Sequence, residues 1–238
     1  MAATARLRPA RARGVLWIVL ALLVCGAAAY APEDNYLVSC GSSLDTPVGR
    51  RLFLADDGGS GGVVLTSPRS AAVKASPDLV SGFRDAALYQ NARVFSAPSS
   101  YSFAIRRRGR HFLRLHFFPF VYRSYDLAAA TRAFKVSTQD AVLLEDGFPA
   151  PEPGNTSSPQ PACVEFLLDV ARDTLVVSFV PLVDGGIAFV NAVEVVSVPD
   201  DLVADAADSS TWAARPSRPT TTRSGDSGQP TCDSSPIL

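Results

Sequence analysis

The clearest pattern in the chain is an alternation of apolar and polar side chains across residues 91–120. In residues 101–105 every second side chain is large and apolar, which is the period of a β-strand with one face against a core. A later run places Leu113, Leu115 and Phe117 on one face of a strand. A helix would scatter these side chains around its axis. The pattern therefore predicts three successive strands at the centre of a β-sandwich.

Shorter segments with the same alternation occur along much of the chain, separated by turn residues. The further predicted strands cover residues 36–40, 134–137, 141–144, 164–170, 175–179 and 187–195. Asp-Gly-Gly at 184–186 predicts a hairpin turn between the last two. Residues 56–62 predict a loop, and residues 67–90 hold at most one short helix, over 85–89. Together these features are typical of an all-β protein, a two-sheet sandwich or jelly roll.

The first 29 residues have the composition of a cleaved signal peptide. Four arginines precede an apolar run over residues 15–24, and three alanines at 27–29 supply a small-residue cleavage site. The alternative, an uncleaved anchor helix, would need about 20 apolar residues. We therefore expect a secreted, extracellular chain that begins near Tyr30 and has no membrane span in its mature part.

The C-terminal region is poor in side chains that could be buried. Residues 213–238 consist mainly of Pro, Ser, Thr, Gly and Arg, so we expect a disordered tail. Residues 203–212 are interpreted as a domain edge or linker. The predicted folded domain covers residues 30–202.

Net charge argues against one class of partner. The full chain has a formal net charge of -1, with 22 basic and 23 acidic residues. Without the four arginines of the leader, 18 of those 22 basic residues remain against the same 23 acidic ones. A mildly acidic chain is a poor candidate for general nucleic-acid binding.

Cysteine usage fits an extracellular location without fixing a pairing. Cys40, Cys163 and Cys232 remain after removal of the leader, which is an odd number, and the sequence alone does not pair them. Asn155 begins the one Asn-Thr-Ser glycosylation sequon, within the proline-rich residues 148–161. Behind a signal peptide, we expect Asn155 to carry a sugar.

One dense group of charges, called here the arginine cluster, consists of Arg106, Arg107, Arg108 and Arg110. Guanidinium groups pair with carboxylates at two points, so the cluster is a candidate contact for a polyanionic wall polymer. The alternative interpretation is a solvated hairpin tip whose charges keep a sheet edge soluble.

Aromatic side chains outside the predicted strands are candidates for stacking on a sugar ring. Tyr122 and Tyr125 lie in a predicted connector and are therefore candidate ligand-binding residues. Tyr101 is different, because the alternation of its strand places it in the core.

Catalytic and metal chemistry find little support in the sequence. His111 and His116 lie five residues apart in one strand and face opposite sides, so they cannot hold a metal together. Acidic pairs such as Asp56-Asp57 and Glu145-Asp146 could suggest a glycoside hydrolase, but they fall in loops or at strand ends. We expect no catalytic residue, no metal site and no cofactor.

Five segments of the chain occur in the order of a known family. They are residues 36–42 (YLVSCGS), 92–95 (ARVF), 99–101 (SSY), 109–120 (GRHFLRLHFFPF) and 188–200 (AFVNAVEVVSVPD). Together they resemble the first malectin-like domain of plant FERONIA/THESEUS-type receptor-like kinases. The resemblance covers nearly all of residues 30–202 and implies a malectin-like jelly-roll β-sandwich with at most short helices.

The same resemblance implies function and partners. Members of that family are plasma-membrane receptors at the cell wall, associated with pectic polysaccharide, small secreted signalling peptides and GPI-anchored co-receptors. The sequence shows no second sandwich, membrane helix or kinase motif after Trp212 and therefore resembles a truncated member. The leading hypothesis is a non-catalytic recognition module. The alternatives are a soluble decoy of the full-length receptor and a wall-acting glycoside hydrolase.

Overall fold

The computed structural model describes residues 30–57, 61–148 and 159–199. The predicted signal peptide, the residue 203–212 linker, the C-terminal tail, Asn155 and Cys232 lie outside these described residues, and so do the boundaries drawn through them. No helix within the described ranges is long and apolar enough to cross a membrane.

Sixteen strands and three short helical turns make up the described structure. The strands are β1 Asn35–Ser39, β2 Thr46–Val48, β3 Arg51–Ala55, β4 Val63–Thr66, β5 Ser70–Lys74, β6 Asn91–Phe95, β7 Ser99–Ala104, β8 Gly109–Phe117, β9 Val121–Tyr122, β10 Tyr125–Asp126, β11 Phe134–Ser137, β12 Val142–Leu144, β13 Ala162–Val170, β14 Thr174–Pro181, β15 Ala188–Val190 and β16 Ala192–Ser197. The helical turns are α1 Pro77–Val80, α2 Ala86–Tyr89 and a 3-10 turn at Ala129–Arg132.

Two large sheets carry most of the strands. One has the order β13-β8-β16-β1-β3-β2 and the other β12-β11-β14-β7-β4, with a three-stranded sheet β15-β6-β5 and the β9–β10 ribbon beside them. The β1–β3 pair is parallel, whereas β8 pairs antiparallel with both β13 and β16. This arrangement confirms the predicted all-β jelly-roll sandwich.

Aromatic rings from both large sheets form the core. Phe117 on β8 packs 5.9 Å from Phe134 on β11, and Tyr36 on β1 packs 5.7 Å from Phe103 on β7, measured between ring centroids. Leu113, Leu115 and Phe117 are all fully buried, as their alternation predicts. The interior face of β8 thus joins the two sheets through direct side-chain packing.

The structure confirms the three strands predicted within residues 91–120, the burial of Tyr101 and the short helix near residues 85–89. It also corrects the prediction of at most one helix in residues 67–90, because α1 begins at Pro77, where proline is tolerated in the first helical turn. Strand β5 in the same region was not predicted. Its Ser and Ala side chains give a weak alternation signal.

The predicted hairpin at residues 184–186 is wrong, and so is the alternative interpretation of the arginine cluster as a hairpin tip, for one physical reason. Residues 184–186 do form a turn, with the Gly186 amide donating to the Val183 carbonyl. However, β14 pairs with β7 and β11, whereas β15 pairs with β6. Likewise β7 and β8, which flank the arginine cluster, belong to different large sheets. Both turns therefore carry the chain between sheets, and the arginine cluster is not a hairpin tip.

Candidate functional site

A cleft of about 490 Å³, called here the polar cleft, opens beside the loop that follows β1. Its walls come from distant parts of the sequence: the loop after β1, the end of β5, the start of β6 and the β9–β10 ribbon. The lining residues are Gly41, Ser42, Ser43, Leu44, Thr46, Asp57, Ala72, Val73, Lys74, Asn91, Arg93 and Tyr122. The lining therefore combines hydroxyl, amide, ammonium and carboxylate groups with one aromatic side chain.

Gly41 allows the loop after β1 to lie directly against β6. Its φ of +76° lies in the left-handed region that favours glycine. A Cβ at this position would penetrate the carbonyl group of Ala92. The Gly41 amide donates to the Asp56 carboxylate at 2.9 Å. Backbone contact and hydrogen bond together fix one wall of the polar cleft.

A buried ion pair lies beneath the polar cleft. Arg93 donates to Asp56 through Nε (2.9 Å) and Nη2 (2.5 Å). The Tyr101 hydroxyl donates to the same carboxylate at 2.6 Å. The hydrogen bond from Arg93 to Asp56 raises the pKa of Arg93, and burial raises the pKa of Tyr101. Asp56 therefore holds three elements together, and Arg93 is fixed in place where it reaches the cleft.

The rim of the polar cleft carries two exposed charged residues and one half-buried aromatic ring. Lys74 and Asp57 are exposed, whereas Tyr122 is half-buried. The Arg123 guanidinium lies 5.2 Å from the centroid of the Tyr122 ring, within cation–π range. Tyr125 is the cross-strand partner of Tyr122 in the β9–β10 ribbon and does not line the cleft.

The structure does not gather the sequence-predicted ligand residues into one site. Tyr122 lines the polar cleft, Arg106 lines a cleft of about 220 Å³, and Arg110 lines a groove of about 510 Å³ beside β13. Arg108 pairs with Asp173 at 2.8 Å, and Arg107 is half-buried. The arginine cluster and the tyrosines are therefore separate candidate contacts.

Both histidines are buried beside carboxylates on opposite faces of β8. His111 Nε2 lies 3.2 Å from Asp34 Oδ2, and His116 Nε2 lies 2.9 Å from Glu194 Oε1. Arg51 also contacts Glu194, at 2.8 Å. Among the described residues no group of three or more His, Cys, Asp or Glu side chains could hold a metal ion.

Cys40 is buried and free, whereas Cys163 is disulfide-bonded. Cys40 is therefore not the partner of Cys163. Burial raises the pKa of the Cys40 thiol well above its ordinary value.

Sequence reasoning missed Lys74, Arg93 and the buried role of Asp56. Arg93 lies within one of the family-like segments, but nothing in its spacing marks it as a cleft residue. Asp56 was interpreted as an ordinary loop acid, because its partners Arg93 and Tyr101 are 37 and 45 residues away. No local signal connects these positions.

Sequence relatives come from plant receptor kinases. The receptor-like protein kinase HERK 1 of Arabidopsis thaliana is 38% identical over 189 residues, which is 79% of this chain and 20% of HERK 1. THESEUS 1 of the same plant is 36% identical over 210 residues, or 86% of this chain and 23% of THESEUS 1. No protein-family model matches the chain.

Solved structures show the same fold. The ANXUR1 extracellular domain from Arabidopsis thaliana has a TM-score of 0.58 at 25% identity, covering 70% of this chain and 42% of that one. The receptor-like kinase FER, in a complex with the plant peptide RALF23 and LLG2, has a TM-score of 0.52 at 28% identity, covering 72% and 42%. The chain belongs to this family of malectin-like receptor-kinase ectodomains.

These similarities confirm the resemblance to malectin-like receptor-kinase ectodomains that the five sequence segments indicate. The chain spans about a fifth of the length of the curated relatives it matches, at 20% and 23% for HERK 1 and THESEUS 1. The similarity concerns their extracellular region, since the matched structures are ectodomains.

Proposed function

We propose that this malectin-like ectodomain is a non-catalytic extracellular recognition module that binds acidic cell-wall carbohydrate of the pectin type in the polar cleft. The observation that carries the proposal is the composition of the cleft, in which hydroxyl-bearing residues and a lysine line the same cavity as Tyr122. Its volume of about 490 Å³ lies within the range of small-ligand sites.

Each part of the cleft matches a part of an acidic sugar. The apolar face of a pyranose ring stacks on the Tyr122 ring. Sugar hydroxyls exchange hydrogen bonds with Ser43 and Asn91 on the walls. A uronate carboxylate pairs with the exposed ammonium group of Lys74, as charge-assisted hydrogen bonds are the strong ones. Arg93 remains in its ion pair with Asp56 and gives the floor a fixed shape.

The arginine cluster provides a second contact for a longer polymer. Arg106 is exposed. The Arg108–Asp173 pair is also exposed, with 62% and 73% of the two side chains accessible. Exposed ion pairs contribute little, because water and dissolved salt screen the two charges. A carboxylate of the polysaccharide therefore replaces Asp173 as the partner of Arg108 at little cost. A longer polysaccharide that reaches this cluster binds more strongly than a short one.

Calorimetric titration with short oligogalacturonides tests the cleft. We expect Tyr122→Ala and Lys74→Ala each to weaken binding by about tenfold, the equivalent of about 1.4 kcal/mol. Lys135→Ala on β11 removes a lysine outside the cleft and is the matched charge control. Tyr125→Ala changes the β9–β10 ribbon outside the cleft and should leave the affinity unchanged. Equal affinity of the wild type and both cleft variants would refute carbohydrate binding at this position.

Longer, de-methylesterified pectin tests the second contact. The triple change of Arg106, Arg107 and Arg108 to Ala should weaken polymer binding and reduce its salt dependence, while short oligomers bind as before. Unchanged polymer binding would show that the arginine cluster does not contact the polymer.

A second function is supported by one of the structural relatives. FER forms a complex with the peptide RALF23 and with LLG2. We therefore propose a second role for this ectodomain at the plasma membrane, in which it recognises a secreted signalling peptide together with a co-receptor. Biolayer interferometry with immobilised chain tests it. Peptide binding that strengthens when the co-receptor is added supports the role, and no binding of either partner contradicts it.

The decoy hypothesis makes a separate prediction. A secreted form of this chain that competes for the ligand should lower signalling by the full-length receptor in proportion to its concentration. A dose-response measurement in which signalling does not change would dismiss that role.

A further inference from the structure

His111 and Asp34 form a fully buried pair beneath the arginine cluster. Neither side chain has any exposed surface. Asp34 precedes β1 and His111 lies on β8, so the pair joins the N-terminal segment to the loop between β7 and β8. The Asp34 backbone is fixed on its other side by Ser197 of β16, whose amide donates to the Asp34 carbonyl at 2.8 Å.

Both ring nitrogens of His111 face oxygen atoms that accept hydrogen bonds. Nδ1 lies 2.9 Å from the Gly109 carbonyl oxygen, and Nε2 lies 3.2 Å from Asp34 Oδ2. A neutral imidazole has one N–H, so one of these contacts would set two lone pairs against each other. The doubly protonated ring donates to both oxygens and balances the buried Asp34 carboxylate.

His116 provides an internal contrast. Its Nε2 lies 2.9 Å from Glu194 Oε1, but its Nδ1 lies 3.2 Å from the Tyr89 hydroxyl, which can donate as well as accept. A neutral ring with its proton on Nε2 satisfies both partners. Glu194 is also balanced by Arg51 and therefore does not need a charged histidine.

The Asp34 carboxylate also fixes the backbone of the arginine cluster. Its Oδ1 accepts from the Arg106 amide and its Oδ2 from the Arg107 amide, both at 3.0 Å. Gly109, whose carbonyl accepts from His111, has a φ of +120°, a conformation that favours glycine. The cluster therefore has a bent backbone anchored by one carboxylate and one imidazole ring.

Few other charged groups face this pair. Tyr36 on β1 interacts electrostatically with Asp34 and with Arg106, and Tyr36 is neutral below its raised pKa. Strands β13 and β16 place Leu168 and Ser197 opposite His111, neither of which carries charge. Within the described residues, His111 and Asp34 are the titratable groups whose protonation directly changes the hydrogen bonds of this loop.

We propose that the charged His111–Asp34 pair positions the arginine cluster and acts as a pH-sensitive lock on it. When His111 loses the Nδ1 proton to solvent, the Gly109 carbonyl faces a lone pair and the bent loop loses an anchor. Protonated His111 therefore holds the loop between β7 and β8, and loss of that proton weakens its anchoring. This inference stands whether or not the cluster binds a polymer.

Nitrogen-15 NMR of the mature chain tests the lock directly, because the sequence contains only two histidines. Long-range proton–nitrogen spectra report the protonation of each ring nitrogen, and amide exchange reports protection at Arg106 and Arg107. We expect His111 to show two protonated nitrogens while those amides are protected, and His116 to show one. Protection factors at both amides should fall at least tenfold over the pH interval in which His111 loses its proton.

Two results would overturn the proposal. One is a neutral His111 ring while the Arg106 and Arg107 amides are fully protected. The other is protection that does not change as His111 titrates. Asp34→Asn adds a variant test, because the loop amides should lose protection at every pH. His116→Gln, on the opposite face of β8, should leave them protected. Since the decisive measurements use the wild-type chain, the test does not depend on whether either variant folds.

Discussion

Arg93 on β6 and Asp56 after β3 form a two-point ion pair that closes the floor of the polar cleft, with no exposed surface on the Asp56 side chain and 12% on that of Arg93. The same carboxylate accepts from the Gly41 amide and the Tyr101 hydroxyl. One buried acid thus connects the loop after β1, β6 and β7. The shape of the cleft depends on it.

Asp56→Ala should therefore be strongly destabilising. Removal of one partner of a buried ion pair leaves an unpaired charge and costs about 3–5 kcal/mol. Urea unfolding monitored by far-UV circular dichroism measures the change in the free energy of unfolding. Arg172→Ala breaks the exposed Arg172–Asp140 pair, whose side chains are 63% and 62% accessible, and is the control. That control should cost less than about 1 kcal/mol. Similar losses in the two variants would contradict the role given to Asp56.

Glu194 should make the fold sensitive to acid. Burial raises the pKa of Glu194, but the hydrogen bond from His116 and the charges of Arg51 and Arg114 outweigh it and lower the pKa to about 2. A lowered folded-state pKa stabilises the protein above the ordinary value of 4.5, and this stabilisation is lost as pH falls through about 2. The contribution is on the order of 3 kcal/mol.

Unfolding free energies of the wild type and Glu194→Gln between those two pH values check this prediction. The variant should show a shallower decline, with the remaining slope assigned partly to Asp34, whose pKa is also lowered. For Asp34, burial raises the pKa, and hydrogen bonds from the Arg106 and Arg107 amides and from His111 outweigh it. Parallel pH profiles for the two proteins would be inconsistent with an ionised Glu194 in the fold.

Gly41 should tolerate no side chain. Gly41→Ala combines a φ of +76° with a direct collision against the Ala92 carbonyl, so we expect a loss of about 3 kcal/mol. Gly49→Ala is the matched control, because its φ is +59° and no atom lies within 4 Å of the added carbon. The control isolates backbone strain at about 1 kcal/mol. Thermal melting measures both, and equal shifts would mean that the contact with β6 is unimportant.

The Cys40 thiol should be unreactive in the folded chain. It is fully buried, and burial raises its pKa, so both access and thiolate formation are suppressed. Alkylation with iodoacetamide followed by peptide mass spectrometry should leave Cys40 unlabelled in buffer and label it in denaturant. Labelling of Cys40 in the folded protein would show that the thiol is accessible.

The fold was largely predictable because its strongest strands are amphipathic over several residues. Strands β7 and β8 alternate cleanly, and their apolar faces become the core. Strand β2 contains Pro47 and only three residues, so its pattern was too short to recognise. The assignment of β7 and β8 to different sheets depends on partners such as β14 and β16, which are distant in sequence, and local pattern does not contain that information.

The candidate site was less predictable for the same reason. Tyr122 was recognised as a possible sugar contact by residue type alone. Its neighbours in the polar cleft, Lys74 and Ser43, lie on other strands and loops and carry no motif. The buried charges of Asp34 and Asp56 were not foreseen, because acidic residues in loops are usually solvated and only long-range pairing reveals them as buried.

Chemical-shift mapping with a short oligogalacturonide tests carbohydrate binding in the polar cleft, since it locates the bound sugar without altering the protein. We expect the largest shifts at Ser43, Lys74 and Tyr122, with little change at Arg106 and Arg108. Shifts confined to the arginine cluster, or no shifts at saturating sugar, would contradict carbohydrate recognition in the polar cleft.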